Sequence, residues 1–385
     1  MNPVGLSQGR VLASAGIIRH ISIPLLEERI FPFPHAGQGK STMAATNHDG
    51  KQTHRYLNRT HRELTQVSMS GEAMQLPWID FSGVEPSAPG TGTWSEVRSQ
   101  VMDALASFGC FEARYPPLTP ELRAALFDTA VRPLFALPVD VKRRNYYGAD
   151  KPFHGYLGGL PGLDAYESLA IVDGSKPDPV RAFADLVWPD GGGDASFCET
   201  VHGAAKRITE LEEAVRRMVM EGLGVAKYHE PLDESTWHLF RMSEYKAPNA
   251  AEKALGYLSH QDTNSLSVVC QRAVEGLEVQ TRDGEWILVK PSPTSLVVIA
   301  GNALRAWTND RLYAPFHRVT VSGDVTRYSA ILFSVPSFKI QAPDELVDDQ
   351  HPPRFKPHCN DDFVRFCVSE EGARHQDKLK AFCGV

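Results

Sequence analysis

The 385-residue chain has no apolar run approaching the roughly 18 residues that a membrane-spanning helix needs. It has no excess of basic residues either. With 40 Lys and Arg against 47 Asp and Glu, the formal net charge is −7, which argues against a general nucleic-acid binder. Cysteine is sparse: Cys110, Cys198, Cys270, Cys359, Cys367 and Cys383 are scattered, without a Cys-x-x-Cys pair or a dense framework. Free thiols in a reducing compartment are therefore expected. No secretory leader and no internal repeat is visible, and the 30 glycines and 27 prolines follow no period, which excludes collagen-like and low-complexity classes. The expectation is a soluble, cytoplasmic, monomeric, enzyme-sized protein that handles a small molecule and neither nucleic acid nor membrane.

Residues 1–73 show no sustained apolar period and read as a disordered extension. Arg10 and Arg19 suit an organelle-targeting peptide, but Glu27 and Glu28 oppose one. Gly39-Lys40-Ser41-Thr42 mimics the end of a phosphate-binding loop, yet Pro34 stands where that motif needs its first glycine. From Met74 the patterning becomes ordered. Leu76–Asp80 and Cys110–Ala113 read as strands. Trp94, Val97, Val101, Leu105 and Phe108 mark one amphipathic helix, and Val201 to Met220 a longer one. Thr119 followed by Pro120 is a helix start.

After Thr236 the apolar period changes to two. Eight short strands are expected: Trp237–Tyr245, Gly256–Ser259, Ser265–Cys270, Leu277–Arg282, Trp286–Val289, Leu296–Ala300, Phe316–Val321 and Arg327–Val335, with Asp283-Gly284 as a hairpin turn. That number of short strands suits a jelly roll. The division expected is an extension (1–73), a helical N-terminal portion (74–230), a jelly-roll domain (231–345) and a C-terminal helical tail (346–385).

Chemistry concentrates in the jelly roll. His260 and Asp262, two apart on an extended segment, point the same way. A distant strand carrying His317 can converge on them, giving two imidazoles and one carboxylate on one face, the arrangement of non-haem Fe(II) oxygenases. Arg327 and Ser329 share a strand face, and a guanidinium fork beside a hydroxyl suits a carboxylate. A dicarboxylic 2-oxo acid fits between metal and fork. By the same alternation Phe333 and Val335 are candidate substrate contacts. Tyr156, with Tyr147 and Phe153 beside the glycine-rich stretch 155–162, is a candidate lid residue. Arg216-Arg217 and Lys142-Arg143-Arg144 read as solvated helix faces, and His351, His358 and Cys359 as members of a surface loop.

His260-x-Asp262, His317 and Arg327-x-Ser329, in that order and at those separations, resemble the plant 2-oxoglutarate/Fe(II)-dependent dioxygenases. Phe108–Glu112, Leu186–Pro189, Arg241-Met242-x-x-Tyr245-Lys246 and Val274–Gln280 resemble in particular the AOP-like (alkenyl/hydroxyalkyl glucosinolate-type) clade. The resemblance covers Met74 to about Ala342. It implies a double-stranded β-helix (jelly roll) with flanking helices, iron on His260, Asp262 and His317, and 2-oxoglutarate on Arg327, Ser329 and Tyr245. It also implies O2 as co-substrate, ascorbate as a candidate reductant, and Arg241 facing the substrate. Ser243 stands where the family has asparagine, and Lys246-Ala247 where it has Pro-Pro. The implied reaction is hydroxylation or desaturation of a small metabolite of plant specialised or hormone-like type, with release of succinate and CO2. Three alternatives stay open: a same-fold oxidase that does not consume 2-oxoglutarate, a non-catalytic binding protein with a residual metal site, and a zinc hydrolase.

Overall fold

Alternating side chains organise the molecule. Along Thr236–Tyr245, Phe240 and Met242 point into the large helix-packed core, while Arg241, Ser243 and Tyr245 take the opposite face. A computed structural model describes residues 74–189, 195–248 and 250–385. The extension 1–73 and the glycine run 191–193 lie outside the described residues.

Twelve strands are formed among the described residues. They are β1 (Trp78–Asp80), β2 (Cys110–Arg114), β3 (Leu157–Gly158), β4 (Tyr166–Val172), β5 (Thr236–Tyr245), β6 (Ala250–His260), β7 (Leu266–Gln271), β8 (Leu277–Gln280), β9 (Trp286–Leu288), β10 (Ser295–Ala300), β11 (His317–Gly323) and β12 (Arg327–Pro336). The major sheet runs β1-β2-β10-β7-β12-β5-β4-β3 and the minor sheet β6-β11-β8-β9. Apolar side chains seal the two together: Val269, Val297 and Ile299 meet Leu277, Val279 and Ile287 at one place, and Tyr245 meets Val319 and Val321 at another. The double-stranded β-helix is thus the observed core.

The other face of the major sheet is covered by the helices Trp94–Ser107, Pro177–Val187 and Ala195–Gly222. The last uses Val201, Ala205, Ile208, Leu211, Val215 and Met218, a stripe at helical spacing, to cover the sheet. The Thr119 hydroxyl accepts from the Leu122 amide, capping the Pro120–Ala125 helix as its sequence suggests. Helices Asn360–Cys367 and Lys378–Cys383 pack Phe363, Leu379 and Cys383 against Ala303, Ala306 and Trp307 of the short helix Asn302–Trp307. The Arg305 guanidinium binds both oxygens of Asp377, at 3.1 and 3.0 Å.

Several charged residues depart from expectation. Arg216 is buried, with its guanidinium on Glu212 (3.1 Å) and Asp233 (2.7 Å), and Lys142 is buried with its ammonium 2.6 Å from Glu167. Lys142 ties its helix to β4 and Arg216 ties the long helix to the helix His229–Glu234, so neither side chain lies on a solvated face, whereas Arg143 and Arg144 are exposed as expected. His358 is also buried, between Phe363 and Phe382. The portion before residue 231 is not wholly helical: β1 to β4 extend the major sheet on both sides.

Candidate functional site

β6 and β11 run antiparallel, and their register sets His317 directly opposite His260. Asp262 follows on the turn leaving β6. The ring centroids of the two histidines are 4.3 Å apart, and one ligand atom from each of the three residues lies within 4.8 Å of the others. Among the described residues this is the one group of three or more His, Cys, Asp or Glu side chains so placed.

Backbone carbonyls orient both imidazoles. Nδ1–H of His260 donates to the Leu258 carbonyl (2.8 Å) and Nδ1–H of His317 to the Pro315 carbonyl (3.5 Å). In the neutral ring this tautomer places the lone pair on Nε2, which is turned to Asp262, at 3.4 Å from Oδ1 for His260 and 3.7 Å from Oδ2 for His317. Burial pushes the His317 imidazole down to about 4, so it is neutral at physiological pH. Burial would raise the Asp262 carboxyl, but the charge of His317 and His260 in their protonated forms, together with the Ser267 hydroxyl, outweighs it and holds it well below the ordinary carboxylate range. Ser267 of β7 donates to Asp262 Oδ2 at 2.5 Å and accepts from Asn264 Nδ2 at 3.2 Å. Beneath this turn lies Gly301, whose missing Cβ would run into the Asn264 carbonyl and approach that of Asp262 to 3.2 Å. A deprotonated carboxylate with two free imidazole nitrogens is a donor set that fits Fe(II).

A second group lines the major sheet. Tyr245 of β5 pairs with Arg327 of β12, and in the next row Ser243, Ser329 and Gln271 lie side by side on β5, β12 and β7. Arg327 is 1% exposed. Nη2 donates to Gln271 Oε1 at 2.8 Å, whereas Nε, Nη1 and the hydroxyls of Ser329 and Ser243 are buried without a hydrogen-bond partner. Buried polar atoms are normally paired, so four such orphans around one cation fit an absent carboxylate, as 2-oxoglutarate would supply. The two groups share one interior. Tyr245, Tyr166, Tyr257 and His260 form a chain of ring contacts at 5.2, 4.8 and 5.2 Å, leading from the cation to the histidines.

The remaining candidates divide. Phe333 lies beside Ser267 in the β12–β7 register and Val335 opposite Trp237 of β5, both on the interior face. Arg241 is on this face too, but its guanidinium is engaged by the Gly155 carbonyl (3.1 Å), the Ser168 hydroxyl (2.6 Å) and the Phe153 carbonyl. It fastens the 153–155 segment to the barrel rim, where His154 stacks on Trp237 with centroids 4.9 Å apart. Tyr156 is not brought together with the others: its hydroxyl donates to Glu167 at 2.7 Å, and β4 alternation puts Glu167 on the face opposite Ser168. Ser267, Gln271 and Gly301 carry no motif, and their part emerges only from strand register and close packing.

Comparison with known proteins agrees with this geometry. Residues 236–336 match the 2OG-Fe(II) oxygenase superfamily. A probable 2-oxoglutarate-dependent dioxygenase, AOP1.2 of Arabidopsis thaliana, is 42% identical over 317 residues, covering 80% of this chain and 96% of the relative. Among solved structures, the rice dioxygenase for auxin oxidation (DAO) aligns with a TM-score of 0.67 at 30% identity, over 80% of this chain and 100% of that one. AtDAO1 of Arabidopsis thaliana, in a binary complex with 2-oxoglutarate, aligns with a TM-score of 0.64 at 26% identity, over 72% and 100%. The chain belongs to the 2-oxoglutarate/Fe(II)-dependent oxygenase superfamily, in its plant AOP-like branch, and is an oxidoreductase that takes Fe(II) and 2-oxoglutarate.

Proposed function

We propose that the protein hydroxylates or desaturates a small organic metabolite, releasing succinate and CO2, with Fe(II) held by His260, Asp262 and His317. In this reading the distal carboxylate of 2-oxoglutarate rests on Arg327, Ser329 and Tyr245. The observation that carries it is the fully buried Arg327 fork with open donors, opening on the same interior as the three metal-ligand side chains. A binding protein with a residual metal site has no use for an anion anchor beside that metal.

When bound, Fe(II) and 2-oxoglutarate supply the oxidising chemistry with O2. The chain's own part is geometric. Two carbonyl-oriented imidazoles keep their Nε2 lone pairs available, and Ser267 fixes the rotation of the Asp262 carboxylate. Arg327 and its neighbouring hydroxyls set the depth of the co-substrate. Phe333, Val335 and Trp237 offer apolar surface on the rim side, which suits a substrate with an apolar body and excludes water from the reacting C–H. The naming of a solved relative for auxin oxidation fits a small-molecule substrate of this size class.

The test is succinate formation coupled to O2 uptake when the Fe(II)-loaded protein meets 2-oxoglutarate and fractionated plant metabolites. Arg327→Ala is expected to raise the 2-oxoglutarate requirement at least about tenfold while leaving metal content unchanged. Full turnover of a metabolite without 2-oxoglutarate would instead establish the oxidase.

A further inference from the structure

We infer that Gln271 is a positioning residue that aims the Arg327 guanidinium without neutralising it, so that the co-substrate's distal carboxylate is the counter-ion the site lacks. This rests on the co-substrate role proposed for Arg327. Three edges of the guanidinium are accounted for separately. Nη2 is held by Gln271 Oε1 at 2.8 Å. The Nε edge is covered by Gly276, whose φ is +156°; a Cβ there would stand 3.0 Å from Arg327 Cδ and 3.1 Å from Nε. Nη1, like Nε, is buried and unpaired, and Ser329 and Ser243 form the next row on this face.

The amide itself has one orientation. Gln271 Nε2 donates to the Val289 carbonyl at 3.5 Å, which assigns the oxygen to the arginine. The residue is 4% exposed and sits directly across from Ser329. Among the described residues no carboxylate pairs with Arg327; its polar neighbours are neutral, this amide and Tyr245, whose ring centroid lies 4.8 Å from Cζ. Of the other buried cations, Arg216 has Glu212, Lys142 has Glu167 and Arg305 has Asp377, whereas Arg123 and Arg241 are each held by at least two backbone carbonyls; Arg327 has the single Gln271 amide oxygen. A carboxylate at position 271 would satisfy Arg327 internally and remove its need for a ligand. An amide of the same shape orients the fork and leaves its charge exposed to the incoming anion.

The test compares two 2-oxo acids on the full chain loaded with redox-inert Mn(II), by anaerobic calorimetric titration. 2-Oxoglutarate carries the distal carboxylate and 2-oxobutyrate lacks it. Gln271→Glu is expected to weaken 2-oxoglutarate by roughly tenfold to a hundredfold and to leave 2-oxobutyrate and Mn(II) affinity within about twofold. Gln271→Ala, which frees the fork without adding a charge, is expected to reduce the preference for 2-oxoglutarate several-fold and serves should the Glu variant not fold. Equal loss for both acids, or no loss for either, overturns the inference. Arg327→Met in the same assay separates the two claims. If it abolishes the preference while both Gln271 variants keep it, the anchor stands and the role of Gln271 falls; if it too keeps the preference, both fall.

Discussion

Ser267 illustrates how much of a proposed metal site lies one hydrogen bond away from its candidate ligands. Its hydroxyl fixes Asp262 Oδ2 and is itself held by Asn264, so the carboxylate has a single rotation to offer. Ser267→Ala is expected to weaken Fe(II) retention about 10- to 100-fold, read as metal content after equilibrium dialysis, whereas His317→Ala should lose the metal outright. Gly301→Ala should resemble Ser267→Ala through a different cause, since its Cβ displaces the Asp262–Asn264 turn. The residues of the proposed metal and co-substrate sites were legible in the sequence because two histidines, an aspartate, an arginine and a serine at these separations are a rare coincidence. Ser267 and Gln271 were not, because a serine or glutamine in a strand is ordinary until the register across β7 and β12 is known.

Among the secondary-structure elements, the eight jelly-roll strands were legible from alternation and from the Asp283-Gly284 turn. β4 was not. Its residues Tyr166 to Ile171 are all buried, as are those of β7 and β10, but it lies apart from them in the N-terminal portion and carries the polar pair Glu167-Ser168 near its start. Those two polar side chains are satisfied on opposite faces, Ser168 by Arg241 and Glu167 by Lys142 and Tyr156. Arg241→Met is expected to release the 153–155 segment, seen as faster proteolysis between residues 146 and 160 at unchanged Mn(II) affinity. Protease resistance equal to wild type would leave Arg241 as a substrate contact instead. The long helix is tied to β5 in a comparable way, through Glu212, Arg216 and His238. Burial disfavours the Glu212 carboxylate, yet Arg216 and His238 outweigh this and bring it to about 2. Its contribution to stability is present above the unfolded value of 4.5 and is lost as pH falls towards 2. Glu212→Gln should destabilise by about 2–4 kcal/mol at pH 7 and show a smaller loss over that acid range, measured by denaturant titration.

For the molecule as a whole, the described core and the candidate site draw on residues from 74 onward. A chain starting at Met74 is expected to keep its melting temperature and its 2-oxoglutarate affinity; a large drop in either would assign residues 1–73 a structural part. The far end is different. Phe363, Leu379 and Cys383 cover Trp307 and Ala303, and the Asn302 amide at the start of that short helix donates to the Asp262 carbonyl at 2.8 Å. Removing residues 360–385 should therefore lower thermal stability and metal retention together.

His260 and His317 face one another across neighbouring strands, and this has a consequence for redesign. Parity matters along β6 and β11, where deleting one residue would rotate an imidazole to the outer surface. The β8–β9 turn around Asp283-Gly284 is under no such constraint, because the ladder and not the length of the intervening chain brings the histidines together. New segments grafted at such a turn would leave the pairing of the two histidines unchanged.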